Sequence, residues 1–174
     1  YGAFVNYDRD GDGTLEYYQG CGHAVSFADL WLRIVRTGNT VTSYYRESQG
    51  AAWTAIGQGQ SLDSSQAHCE LGLFVMSHDS TQQCTATFDA FDFAGFGCAL
   101  QDEFTDSSLA AAWQSVDADN FGGSSARATG GALELRGRGN ELWDTEHSFH
   151  GVRRSDVYGD FDIAVRVDSL TNTH

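Results

Sequence analysis

Asp8-Arg9-Asp10-Gly11-Asp12-Gly13-Thr14-Leu15-Glu16 sets oxygen donors at alternate positions around two glycines. Calcium takes about six to eight hard oxygen ligands, and carboxylates on every second residue of a tight loop can curl around one ion. Asp8, Asp10 and Asp12 stand at the first, third and fifth positions of an EF-hand-type loop, with Gly13 at the sharp turn. Thr14 would lend its carbonyl, Leu15 takes the apolar slot, and Glu16 reaches the ion directly or through water. Two departures matter. The twelfth position is Gln19 rather than a bidentate acid, and the flanks, 3–7 and 15–18, look like strands rather than helices. The expectation is a calcium-type loop at the tip of a hairpin, with a structural role: the ion would cancel repulsion among carboxylates. The competing reading is a solvated acidic hairpin with no metal.

Cys21, Cys69, Cys84 and Cys98 contain no Cys-x-x-Cys pair, so zinc ribbons and thioredoxin-like motifs are unsupported. Dispersed and even in number, they predict two disulfides in an oxidising compartment, with the pairing left open. Buried free thiols are the other reading. Asp117, Asp119 and Asn120 could hold a second cation but read better as an Asx-rich turn. His147 and His150, without a helix to align them, are expected on the surface, and Cys21-Gly22-His23 reads as a half-cystine beside a chance histidine. No nucleophile elbow and no Walker loop occur. Asp160-Phe161-Asp162 has one alternation of acids but lacks the third carboxylate of a sandwich-fold glycosidase, and Glu134 and Glu141 stand alone. The chain is therefore expected not to be an enzyme. Trp31, Trp53, Trp113, Trp143 and the tyrosines offer rings for stacking on sugars; Tyr17, Tyr18, Tyr45 and Trp143 are the candidate ligand aromatics, while most tryptophans should fill the core.

Ten basic against 24 acidic residues leave a net charge of −14. A field of that sign repels nucleic-acid phosphates and anionic lipid and attracts divalent cations. Every basic residue is Arg, which excludes a Lys–Asn isopeptide staple. No apolar run approaches the ~20 residues that span a bilayer, so membrane insertion is not expected. The start, Tyr1-Gly2-Ala3-Phe4, reads as a mature or trimmed end.

These residues need strands to position them, and the dominant period is two. Residues 31–36 and 41–46 predict a hairpin about Gly38-Asn39; 52–57 reads as a third strand. Residues 70–76 and 84–93 read as a further pair across the polar stretch 77–81, with Ala86, Phe88, Ala90 and Asp92 on one face of the second. Residues 132–136 and 159–167 are strands, the latter with Phe161, Ile163, Val165 and Val167 on one face; 107–113 is the single helical candidate. The fold class is all-β, an antiparallel β-sandwich. The complete absence of proline has no physical account.

Trp31-Leu32-Arg33-Ile34-Val35-Arg36-Thr37-Gly38-Asn39-Thr40, Tyr44-Tyr45, Trp53-Thr54-Ala55-Ile56-Gly57, Leu73-Phe74-Val75-Met76-Ser77-His78 and Ala86-Thr87-Phe88-Asp89 resemble the closing half of DUF1349-type domains, concanavalin A-like jelly rolls of secreted bacterial proteins. Asp102-Glu103-Phe104, Leu109, Trp113 and Gly159-Asp160-Phe161-Asp162 resemble the opening half, so the halves stand in swapped order. On this reading 1–93 is the closing half, 94–99 a Gly-rich linker and 100–174 the opening half. The chain is then circularly permuted, cut out of phase from a tandem array, or completed by a neighbouring copy. The resemblance implies binding or scaffolding and carries over no catalytic residues. The expected function is a non-catalytic structural or adhesive module of an extracellular, cell-surface assembly or filament, stabilised by Ca2+ and disulfides, whose partners are copies of itself and extracellular glycans. The alternative is a carbohydrate-binding module of a secreted enzyme.

Overall fold

In a computed structural model, residues 3–7, 10, 17–63, 68–95, 98–118, 125–139, 142–143 and 146–171 are described. Their strands are β1 (Phe4–Tyr7), β2 (Tyr17–Gly20), β3 (Leu30–Thr37), β4 (Thr40–Arg46), β5 (Thr54–Ala55), β6 (Gln60–Ser61), β7 (His68–Val75) and β8 (Asp79–Gly95). There follow β9 (Cys98–Asp102), β10 (Gln114–Asp117), β11 (Ser125–Thr129), β12 (Ala132–Gly139), β13 (Leu142–Trp143), β14 (Glu146–His147), β15 (His150–Tyr158) and β16 (Phe161–Leu170). All recorded pairings are antiparallel, and the fold is the expected β-sandwich. A nine-stranded sheet runs β11-β12-β8-β16-β3-β4-β5, with β6 on β4 and β9 on β8; a three-stranded sheet, β10-β15-β7, packs on its inner face.

The alternation of apolar residues decides which side faces in. On β16, Ile163, Val165 and Val167 are buried; on β12, Leu133 and Leu135 are wholly so. Burial of each such side chain contributes about 1.5–3 kcal/mol relative to exposure. Further along β12 the inward position is Gly137, where a Cβ would lie 2.7 Å from the Val75 carbonyl oxygen, so the two sheets close there only over glycine. The β3–β4 hairpin forms as expected, Thr37 opposite Thr40, with Gly38 at a φ of 58° in the first central position of its two-residue turn.

Several expectations are corrected. Strand β7 pairs with β15 rather than β8, so 70–76 and 84–93 belong to opposite sheets. Strand β8 extends over 17 residues, and its inward phase changes partway: Cys84, Ala86 and Phe88 are buried, then Phe91 and Phe93. Ala90, at a φ of 48°, lies where the register with β16 shifts, and such a bulge moves the even-numbered face to the odd. Residues 107–113 form no helix. A single turn closes with the Trp113 amide donating to the Ala110 carbonyl, and the segment is spent seating Trp113 in the core. Trp113 Nε1 donates to Asp102 Oδ2 at 2.9 Å, and its ring meets Phe91 edge-on at 5.1 Å, with Phe104 beside both.

The arms of the Gly-rich stretch pair as a hairpin, Gly95 with Cys98 and Ala94 with Ala99. Strands from the two halves of the chain alternate within one sheet: β8 lies between β12 and β16, and β16 between β8 and β3.

Candidate functional site

The outer face of the nine-stranded sheet carries the side chains that the core excludes. Across neighbouring strands, Ala164 lies beside Arg33 and Asp92, Asp162 beside Val35 and Ala94, and Arg166 beside Trp31 and Asp89. On β4, Tyr44 faces Arg33 and Arg46 faces Trp31. Small residues at Ala94 and Ala164 leave the floor low, and a groove of about 320 Å³ opens between Trp31, Arg33, Arg46 and Trp53 on one side and Asp92 on the other. Two strand spacings separate Arg33 from Asp92 across Ala164, about 10 Å.

Trp53 comes from the segment before β5 and folds over the sheet. The Arg46 guanidinium carbon lies 4.3 Å from the Trp31 ring centroid and 4.4 Å from that of Trp53; Arg33 lies 5.5 Å from both Trp53 and Tyr44. The order Trp31, Arg46, Trp53, Arg33, Tyr44 is a ladder of alternating rings and cations, each contact contributing about 0.5–1 kcal/mol at an exposed site. Trp31 is anchored further by its indole N–H, which donates to Asp29 Oδ1 at 3.1 Å.

The two cations of the ladder differ. Arg33 donates from Nε and Nη2 to the two oxygens of Asp162, at 2.7 and 2.5 Å. Those bonds raise its pKa above the ordinary arginine value, against the desolvation that opposes them. Arg46 makes no ion pair with any described residue, and its buried Nε–H lacks an acceptor. Asp92, exposed at the opposite wall, likewise has no ion-pair partner among the described residues. Beside the groove, Arg166 forms a bidentate pair with Asp89, which raises its pKa in the same way.

Of the residues expected from sequence to hold calcium, Asp8, Asp12, Thr14 and Glu16 lie outside the described residues; Asp10 is described and exposed. Their flanks pair as β1 and β2 with Tyr7 opposite Tyr17, so both ends of the loop are held side by side on strands. Among the described residues no three His, Cys, Asp or Glu side chains gather as a metal site.

Cys21, Cys69 and Cys84 are free thiols in separate places, and the Cys98 side chain lies outside the described set. Cys21 Sγ donates to the His23 carbonyl at 3.1 Å, and Cys69 Sγ accepts from Arg36 Nη1 at 3.0 Å. Cys84 is buried opposite Gly137, and burial pushes its thiol pKa up to about 11.

Among the candidate aromatics, Tyr18 is exposed and Tyr17 half-buried, while the Trp143 side chain is outside the described set. Tyr45 is corrected: it is 7% exposed, faces the core, and its phenol pKa is raised by burial, because period two on β4 turns Tyr44 outward instead. His150 is also corrected from surface to interior, where Nδ1 lies 3.6 Å from Asp117 on the neighbouring strand. The paired acids of 160–162 are engaged: Asp160 Oδ1 accepts from the Gly38 amide at 2.6 Å, and Asp162 holds Arg33. Glu134 is held by Arg127 and Arg136.

Sequence reasoning missed Arg33, Arg46, Asp92 and Asp162 as neighbours. Arg33-x-Val35 and Asp162-x-Ala164 do alternate with the core residues, but nothing in the order of residues states that β16 lies beside β3. No protein-family model matches the chain, and no curated protein matches it.

Proposed function

We propose that this chain is a non-catalytic module of an extracellular structural or adhesive assembly, and that it makes contact through the groove on its outer face. The observation that carries this reading is the ladder. A solvent-facing strand surface needs only polar side chains for solubility, whereas here two indoles, a phenol and two guanidinium groups are packed into one rigid surface. Tryptophan, tyrosine and arginine are the residues that concentrate binding energy at interfaces, because they bring large area at low entropic cost.

Self-association as part of that role draws support from a second region. The outer face of the three-stranded sheet exposes Phe74 and Tyr158, and among the described strands β7 is at the edge of that sheet. Calcium-dependent stiffening of the β1–β2 loop completes the reading, since the two ends of that loop are held side by side on paired strands, Tyr7 opposite Tyr17. A carbohydrate-binding module is the second reading, and the same groove favours it.

One experiment separates these. Particle sizing and negative-stain imaging of the natively isolated protein, with and without chelator, are run beside adsorption to a panel of insoluble polysaccharides. Regular strings or fibres that loosen with chelator support the assembly. Monomers that adsorb to one polysaccharide, and lose that adsorption in Trp53→Ala, transfer the proposal to the second reading. Monomers that ignore both chelator and polysaccharide overturn both.

A further inference from the structure

We infer that the groove accepts the carboxylate of a hexuronate residue in an acidic polysaccharide, with Arg46 as the group that receives it; this rests on the reading of the groove as a contact site. Indoles lie at 4.3 and 4.4 Å from the Arg46 guanidinium carbon, so the ring contacts occupy its flanks. A stacked guanidinium still presents its in-plane N–H groups, and that fork matches a planar, two-oxygen acceptor.

No described residue supplies such an acceptor. Arg46 Nε is buried against its neighbours, so a ligand in the groove would meet the terminal Nη groups of Arg46, which forms no ion pair with any described residue. Arg33, its neighbour in the ladder, shows what the site does with a carboxylate: Asp162 satisfies it with two hydrogen bonds. The groove thus holds one guanidinium already answered and one not.

The remaining lining selects among anions. Asp92 and Asp162 both border the groove, so a doubly charged phosphate would meet stronger repulsion than a single carboxylate. Exposed Asp92, about 10 Å from Arg33 across Ala164, can accept hydrogen bonds from hydroxyl groups, which suits a ligand bearing both hydroxyls and a carboxylate. A pyranose ring bearing a carboxylate fits that description. The low floor at Ala94 and Ala164 leaves room for the ring itself.

The test is isothermal titration of the intact protein with trigalacturonate, compared with the neutral galactose trimer, repeated on Arg46→Gln and Arg46→Lys. Trigalacturonate is expected to bind at least tenfold more tightly than the neutral trimer. Arg46→Gln should remove that preference, and Arg46→Lys, which keeps the charge without the planar fork, should weaken it several-fold. The comparison of the two sugars on the unaltered protein needs no variant, so a folding defect in either substitution leaves the test intact. Equal binding of both sugars overturns the hexuronate assignment while leaving the groove as a glycan site. Binding of neither overturns the assignment and, if the insoluble polysaccharides also fail to retain the protein, the contact-site reading with it.

Discussion

The two faces of strand β16 are built from the same ten residues and do opposite work. Ile163, Val165 and Val167 enter the core, while Asp162, Ala164 and Arg166 face outward beside Arg33, Asp92 and Asp89. Inward, shape matters: Phe91, Phe104 and Trp113 interlock, and a missing ring leaves a void. Outward, geometry matters through charge: each guanidinium is aligned on a carboxylate or a ring, and water replaces whatever is removed. The inner face therefore sets stability and the outer face sets what can be recognised.

The largest expected effect comes from breaking the inner face. Phe91→Ala removes a ring that is 1% exposed and touches Phe104 and Trp113, and should cost about 3–5 kcal/mol, read as a lower denaturation midpoint. A comparable loss from Trp53→Ala would contradict the division of labour, since that residue lies on the other side of the sheet.

Cys84 reports on the same interior through pH. Its thiol stays protonated in the folded chain to about 11, whereas an unfolded cysteine titrates near ~8.5. The folded state therefore binds the extra proton between those values. Stability from this group is complete below the unfolded pKa and is lost as pH rises toward 11. Urea midpoints measured from pH 8 to 11 should fall less steeply for Cys84→Ala than for the unaltered chain, and parallel slopes would mean the thiol is not buried.

On the outer face the effects shrink. A double-mutant cycle on Arg33 and Asp162, both partly open to water, should return a coupling of about 0.5–1 kcal/mol, and a value several times larger would mean the pair is sealed from solvent. Smallest is Asp79, whose carboxyl is held below its ordinary pKa by hydrogen bonds from Thr81 and Gln82. A depressed pKa adds stability above the unfolded value and loses it as pH falls through the folded one. Asp79→Asn should accordingly lose that small contribution at neutral pH, and its stability profile should converge with that of the unaltered chain as pH falls through the folded pKa.

Much of the sandwich was legible because period two is a local property. The hairpin about Gly38-Asn39 follows from its turn residues, and the inward set of β16 follows from alternation. The limits are equally particular. The bulge at Ala90 reverses the phase of β8, and no composition rule marks an alanine for positive φ. Trp113 was legible as a core filler but not as the end of a non-helical segment, because the Asp102 acceptor that seats its indole lies 11 residues away.

By itself the sequence determined the all-β class, the acidic charge, the turn of the β3–β4 hairpin and the alternate donors of the 8–16 loop, each a matter of residue types within a few positions. Only the tertiary structure decided that β8 and β16 are neighbours, that Tyr45 points inward and Tyr44 out, and that Arg46 is stacked between indoles from β3 and from the segment before β5. The physical reason is that strand pairing joins residues as far apart as Arg33 and Asp162 through backbone hydrogen bonds indifferent to side-chain identity. The groove exists only once that order of strands is set.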